Sequence, residues 1–277
     1  MPTESEILRA YAPQRIASLQ PSITVTIAEF GLMDRVVACT KYCADVVPGA
    51  RDGGRKIIED SWSADAGEIL SARPDLVIAS VPYRMESLAE IMKAGVAVLA
   101  FAPKSLDDVY RDTQYLAGIL QEPERGARLV ARMCEEIEAI RGRAASASSR
   151  PRVYCEEWGK PLIHSQPWVA ELVAAAGGEF VGSAGKQTTA EEVAAADPDV
   201  VLAAWCGAGD RVPLEKIVEQ RGWSGLRAAR ERRVYCINDE YLNTPAITLL
   251  HGLRAIASAV HPDVFGEHAA GLRQIRG

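Results

Sequence analysis

The sequence has no apolar run near the roughly 20 residues that cross a bilayer, so no membrane-spanning helix is expected. It has no long Lys/Arg run, and its net charge is −6, so the overall field does not favour nucleic acid. It has no CxxC pair among Cys39, Cys43, Cys134, Cys155, Cys206 and Cys236. A chain of 277 residues buries a core large enough to fold without staples, so six free thiols are expected. Neither GxSxG, HExxH, GxGxxG nor a P-loop Lys-Ser/Thr occurs, which removes the common signatures of hydrolases, zinc proteases and nucleotide binders. Residues 1–10 are polar and acidic and lack the basic and apolar regions of a signal peptide. As it stands, that start points to the cytoplasm; removal of a leader would point to the periplasm.

What is present is a repeat. Arg73-Pro74-Asp75-Leu76-Val77-Ile78-Ala79-Ser80 in the first half answers Asp197-Pro198-Asp199-Val200-Val201-Leu202-Ala203-Ala204-Trp205 in the second. Each follows a short helical stretch, residues 63–72 and 188–196. Each leads to a further helix and an apolar strand, residues 96–101 and 233–237. Arg15-Ile16-Ala17-Ser18-Leu19 likewise answers Arg152-Val153-Tyr154-Cys155-Glu156. Two copies of one α/β unit predict two lobes that face each other across a ligand cleft.

The first copy reads as strand 15–19, helix 22–30, strand 36–40, a Gly-rich charged loop 49–56, helix 64–72, strand 76–80, helix 85–93 and strand 96–101. Helical patterns follow over 105–120 and 124–143, then an Ala/Ser-rich linker at 144–150. The second copy reads as strand 153–156, helix 168–176, strand 180–181, helix 190–196, strand 200–204, helical 214–230, strand 234–237 and a closing helix 248–260. Strands alternating with helices predict an α/β fold with two Rossmann-like lobes and parallel sheets. The expected division is a lobe at 1–122, a bridging helix and linker at 123–150, and a lobe at 151–277. A long helical bridge argues against large hinge closure.

In open α/β sheets ligands lie outside the carboxyl ends of the strands. The aromatics, Phe 4, Trp 5 and Tyr 8, are few. Tyr42, Trp62, Tyr83, Trp158, Trp168, Trp205 and Tyr241 nevertheless all fall at or near those ends. Rigid rings there suit a large, flat, partly apolar ligand. Cys43 and Cys206 follow strands in opposite lobes, and Arg84, Glu157 and Glu240 stand beside the aromatics. The expected ligand-binding set is Tyr42, Cys43, Trp62, Tyr83, Arg84, Glu157, Trp158, Trp205, Cys206, Glu240 and Tyr241. Arg84 and Arg211 suit a ligand carboxylate or phosphate, although arginines at such places are more often solvated.

These residues resemble the class III substrate-binding proteins of ABC importers, the vitamin B12 and iron–siderophore binding family. Residues 15–24 look like that family's R-I-V-S-L-x-P-S-x-T-E opening. Residues 68–79 look like its E-x-I-L-x-L-x-P-D-L-V-I signature, and residues 168–178 like its Gly-Gly stretch. The resemblance covers about residues 13–262 and is nearest to cobalamin-binding members. It implies two lobes bridged by one long helix, no catalysis, no intrinsic cofactor, and a cobalamin or other metal-chelate ligand. It also implies a monomer that docks on an ABC permease through an acidic residue on each lobe, Glu68 and Glu240.

Two other readings stay open. One is an iron–siderophore or haem carrier. The other is a small-molecule enzyme using Glu156 or Glu157 with Cys43 or Cys206. Adjacent residues of a strand point to opposite faces, so one of the two glutamates is expected to face the ligand. Cys43, Glu156, Glu157, His164 and Cys206 carry metal-ligand chemistry, but their separations follow no metal-site spacing, so a protein-borne metal site is not expected. Cys39, Cys155 and Cys236 lie inside strands and read as core thiols.

Overall fold

In each half of the chain an arginine opens one strand and a Pro-Asp pair opens its neighbour, and the two are clamped in the same way. The Asp75 carboxylate accepts the backbone N–H of Gln14 at 2.8 Å and of Arg15 at 3.0 Å. The N–H of Asp75 donates to the Arg15 carbonyl at 2.8 Å. The Arg15 guanidinium reaches the carbonyls of Ala72 and Arg73, both at 2.7 Å. In the second half Asp199 accepts the N–H of Arg152 and donates its own to the Arg152 carbonyl, each at 2.8 Å, while the Arg152 guanidinium donates to Ala196. The residue before each proline is excluded from the helical region. Arg73 and Asp197 adopt left-handed backbone there, with φ of 51° and 39°, which turns the chain from helix to strand.

A computed structural model describes residues 11–276. The polar start read above for a leader lies outside the described residues. The described residues divide into two units: those up to Pro103 with Asp107–Ala131, and Lys104–Leu106 with the residues from Arg132 onward.

The first unit runs β1 (Ile16–Ser18), α1 (Pro21–Glu29), β2 (Val36–Thr40), α2 (Lys41–Val46), β3 (Lys56–Ile58), α3 (Ala66–Leu70), β4 (Leu76–Ser80), α4 (Met85–Lys93) and β5 (Ala97–Phe101). Its sheet is wholly parallel in the order β3-β2-β1-β4-β5. β1 and β4 are buried at every position, as their uninterrupted apolar sequences require of central parallel strands. Helix starts are chemically marked: Pro21 opens α1, and the Asp65 side chain caps α3 through the Glu68 N–H. Two expectations fail here. Residues 41–46, for which no helix was expected, form α2 because Thr40 caps it through the Cys43 N–H. The loop at 49–56 gives way at Lys56 to β3, which pairs with β2.

α5 (Leu106–Ile119) and the 22-residue α6 (Pro123–Ala144) follow; α6 begins in the first unit and ends in the second. The second unit continues with β6 (Arg152–Gly159), β7 (Leu162–His164), α7 (Pro167–Ala175), β8 (Glu179–Phe180), β9 (Gln187–Thr188), α8 (Ala190–Ala196), β10 (Val200–Ala203), α9 (Leu214–Gln220), α10 (Arg227–Arg230), β11 (Val234–Ile237), α11 (Glu240–Asn243), α12 (Leu249–Val260), α13 (Pro262–Phe265) and β12 (Leu272–Gln274).

Its sheet follows β12-β11-β10-β6-β7-β9, with β8 also paired to β6. β6, β8, β10 and β11 are parallel, but β7 and β12 run against them and β9 pairs antiparallel with β7, so this sheet is mixed rather than wholly parallel. The cause at one edge is the tight turn after Gly159, which folds β7 back on β6. The stretch 214–230 is not one helix. Gly222, at φ 67°, ends α9, and the 3-10 turn Trp223–Gly225 buries Trp223 before α10 begins.

Candidate functional site

β6 carries two adjacent glutamates, Glu156 and Glu157, with different surroundings. Glu156 is 1% exposed and is enclosed by four donor groups. Arg221 Nη1 and Nη2 donate to its two carboxylate oxygens at 2.8 and 3.0 Å. Tyr154 Oη donates at 2.6 Å and Trp205 Nε1 at 2.7 Å. Burial, then the carboxylate beside it, pushes the Tyr154 phenol well above its usual range, so it keeps its proton and remains a donor. Arg221 also donates to the Gly159 carbonyl and lies 4.8 Å from the Trp223 ring centre and 5.9 Å from that of Trp205. A satisfied buried pair of this kind is structural; Glu156 is therefore no acid or base facing a ligand.

The same network fixes Trp205. Its indole nitrogen is held by Glu156, and its ring lies so close to Gly159 that a Cβ there would approach a ring carbon to 2.3 Å. Only glycine admits the ring. Trp205 then forms one wall of a cavity of about 550 Å³ between the β6–β7 turn and α9. Trp158, Cys206, Ile217, Lys160 and Lys216 also line it, and the volume is that of a small-molecule site. Trp158 is 43% exposed and donates its Nε1–H to the Lys160 carbonyl at 2.9 Å.

Glu157 is half-buried and accepts one hydrogen bond from Gln166, at 2.6 Å. Burial raises its carboxyl to about 7 against that bond. Cys206 accepts from Asn243 Nδ2 at 3.2 Å. Desolvation, then Glu157 and Asp239, pushes its thiol up to about 12. The group is therefore a neutral thiol at pH 7 rather than the thiolate the ligand chemistry invites. Asp239 accepts the N–H groups of Gly207 and Gly209 at 2.7 and 2.8 Å and so ties down the loop after β10. Glu240 opens α11 with its carboxyl raised by burial and then by Asp239. Tyr241 stacks on His251, ring centres 5.0 Å apart.

In the first unit Tyr42 and Trp62 form a tilted pair with centres 5.4 Å apart, and Trp62 is 48% exposed. Lys41 lies over Tyr42 and pairs with Glu59. Tyr83 is half-buried against the core, and Arg84 is exposed. Cys43 differs from its expected place. It is fully buried, with Sγ 3.1 Å from Thr40 Oγ1, because its position on α2 turns it inward. Trp168 is buried with its Nε1–H on the Leu242 carbonyl, and His164 is buried with its ring against Tyr154. Both belong to the core. Among the described residues no three His, Cys, Asp or Glu side chains are placed to hold a metal ion, and no helix is long and apolar enough to cross a membrane.

The structure thus brings Trp158, Trp205 and Cys206 to one cavity and pairs Tyr42 with Trp62. Lys160, Lys216 and Arg221 were not anticipated at the site. Lys160 lies in the turn of a hairpin whose second strand has only three residues, and Arg221 lies 65 positions from the carboxylate it serves.

Two α/β units with aromatic strand ends define a solute-binding protein. The chain belongs to the periplasmic binding protein family, whose model matches residues 16–241. That family consists of binding proteins without catalytic activity. An uncharacterised ABC transporter substrate-binding lipoprotein of Bacillus subtilis is 23% identical over 267 residues, 92% of this chain and 82% of that protein. A cobalamin-binding protein of Halobacterium salinarum is 25% identical over 262 residues, 90% of this chain and 70% of that protein. A solved periplasmic haem-binding protein from Roseiflexus sp. RS-1 superposes with a TM-score of 0.77 at 29% identity, covering 89% of this chain and 99% of that one.

Proposed function

We propose that the chain captures a corrinoid, a flat metal-bearing macrocycle, on aromatic side chains at its strand ends and delivers it to an ABC permease. The observation that carries this reading is the fixed Trp205 with Trp158 on one cavity, in a chain similar over 90% of its length to a cobalamin-binding protein. Tyr42, Trp62 and Tyr83 offer apolar surface on the first unit, and Glu157, Cys206, Glu240 and Tyr241 offer polar groups on the second. Arg84 is exposed and fits a ligand's anionic group. Cys43 is left out, because its thiol is enclosed. Glu68, on α3, and Glu240 are the acidic residues proposed for docking. Membership of the family supports the periplasm as the working compartment.

A haem ligand is the second reading, favoured by the 29% identity to a haem-binding protein. Titration with cyanocobalamin, haemin and a ferric siderophore, followed by tryptophan fluorescence, separates them. Quenching that saturates with cyanocobalamin alone supports the corrinoid; saturation with haemin alone supports the haem reading. No response to any of the three overturns both.

A further inference from the structure

The chain carries a net charge of −6, yet none of the residues lining the cavity against Trp205 is acidic. Three cationic side chains reach it: Lys160 from the β6–β7 turn, Lys216 from α9, and Arg221 just beyond α9. Arg221 is already neutralised by Glu156, at 2.8 Å. The ammonium groups of Lys160 and Lys216 have no carboxylate partner within ion-pair distance among the described residues. Their neighbours in the cavity include the apolar Ile217, the aromatic Trp158 and Trp205, and the neutral amide Gln220. Two unpaired cations beside an apolar wall raise the local potential and favour an arriving anion. The ring of Trp205, held at its nitrogen and seated on Gly159, offers a flat face next to them.

We propose that this cavity seats the anionic edge of the ligand, a carboxylate or phosphate carried by a flat macrocycle, with the macrocycle's face on Trp205 and the anion on Lys160 and Lys216. The inference rests on the macrocycle reading above and adds a charge requirement to it. Carboxylates of a porphyrin and the phosphodiester of a complete cobalamin share that chemistry.

The test uses two matched pairs of probes: haemin against its dimethyl ester, and cyanocobalamin against dicyanocobinamide, which lacks the phosphodiester. Each is titrated into the wild-type protein and into K160Q/K216Q at low and high salt. Both lysines are exposed, so the variant is expected to fold as the wild type does. For the member of whichever pair binds that carries the carboxylates or the phosphodiester, the variant should lose roughly tenfold in affinity, as two half-screened ion pairs would. Salt should reproduce part of that loss. The member that lacks the anionic group should bind more weakly to the wild type and be indifferent to the lysine changes. Binding of a carboxylate- or phosphate-bearing macrocycle that ignores both lysines, or equal affinity within a pair, overturns the inference and leaves the macrocycle reading standing. Failure of all four probes to bind overturns the two together.

Discussion

Arg221 and Glu156 meet fork to fork, Nη1 on Oε2 at 2.8 Å and Nη2 on Oε1 at 3.0 Å, with the carboxylate 1% exposed. Removing only one partner of such a pair leaves a buried charge with nothing to offset it. Arg221→Ala should therefore lower unfolding free energy by about 3–5 kcal/mol. The double variant Glu156→Gln with Arg221→Met removes both charges and should recover part of that loss. Urea unfolding of the two variants decides it; an R221A protein as stable as the wild type would mean the pair is solvated in solution.

The contact between Gly159 and Trp205 gives a second expectation. Gly159→Ala places a Cβ where the indole ring stands, at 2.3 Å. The ring must shift, and overpacking of this kind costs about 1–3 kcal/mol. The displaced indole should also change its emission maximum, and the affinity for the macrocycle found by titration should fall. Unchanged emission and unchanged affinity would place Trp205 outside the binding surface.

Glu157 supplies a pH dependence. Its folded carboxyl sits near 7, above the value of 4.5 for a free glutamate. Between those values the folded chain holds a proton that the unfolded chain has lost. Stability from this group is therefore full below about pH 4.5 and is lost as pH rises through 7, to the extent of about 3 kcal/mol. Glu157→Gln should remove that slope and stabilise the protein most at pH 8. Denaturant unfolding at pH 5 and pH 8 measures the difference; an identical slope in both proteins would rule out Glu157 as the source.

The cysteines divide by position. Cys39, Cys43, Cys155 and Cys236 are buried, while Cys206 is exposed beside the cavity. Native alkylation followed by mass mapping should label Cys206, slowly because its thiol is raised to about 12, and should reach those four only after unfolding. Saturating macrocycle should slow the labelling of Cys206 further. Rapid native labelling of Cys43 would contradict its enclosed position on α2.

The duplicated unit was legible in the sequence because it rests on local chemistry. A strand-opening arginine and a Pro-Asp turn occur twice, and both turns form the same carboxylate clamp. The break at Gly222 was missed, because the apolar spacing on either side of it reads as one helix. β7, β9 and β12 were not legible: strands of two or three residues have no periodicity to read, and each is held by antiparallel pairing to a neighbouring strand of the second unit. The aromatics of the site stood out because the chain has few. The support behind them did not, since Glu156 reads like any other strand-end acid until Arg221, Tyr154 and Trp205 are brought to it from three separate segments.

The loop after β10 is tied at Gly207 and Gly209 by one carboxylate, and the indole beside it is tied by another. Both are ordered when the chain folds, so an arriving ligand has neither a rotamer nor a loop left to freeze at that wall. Ligands that differ only in how well they fit there should accordingly be captured at similar rates and differ in how long they stay.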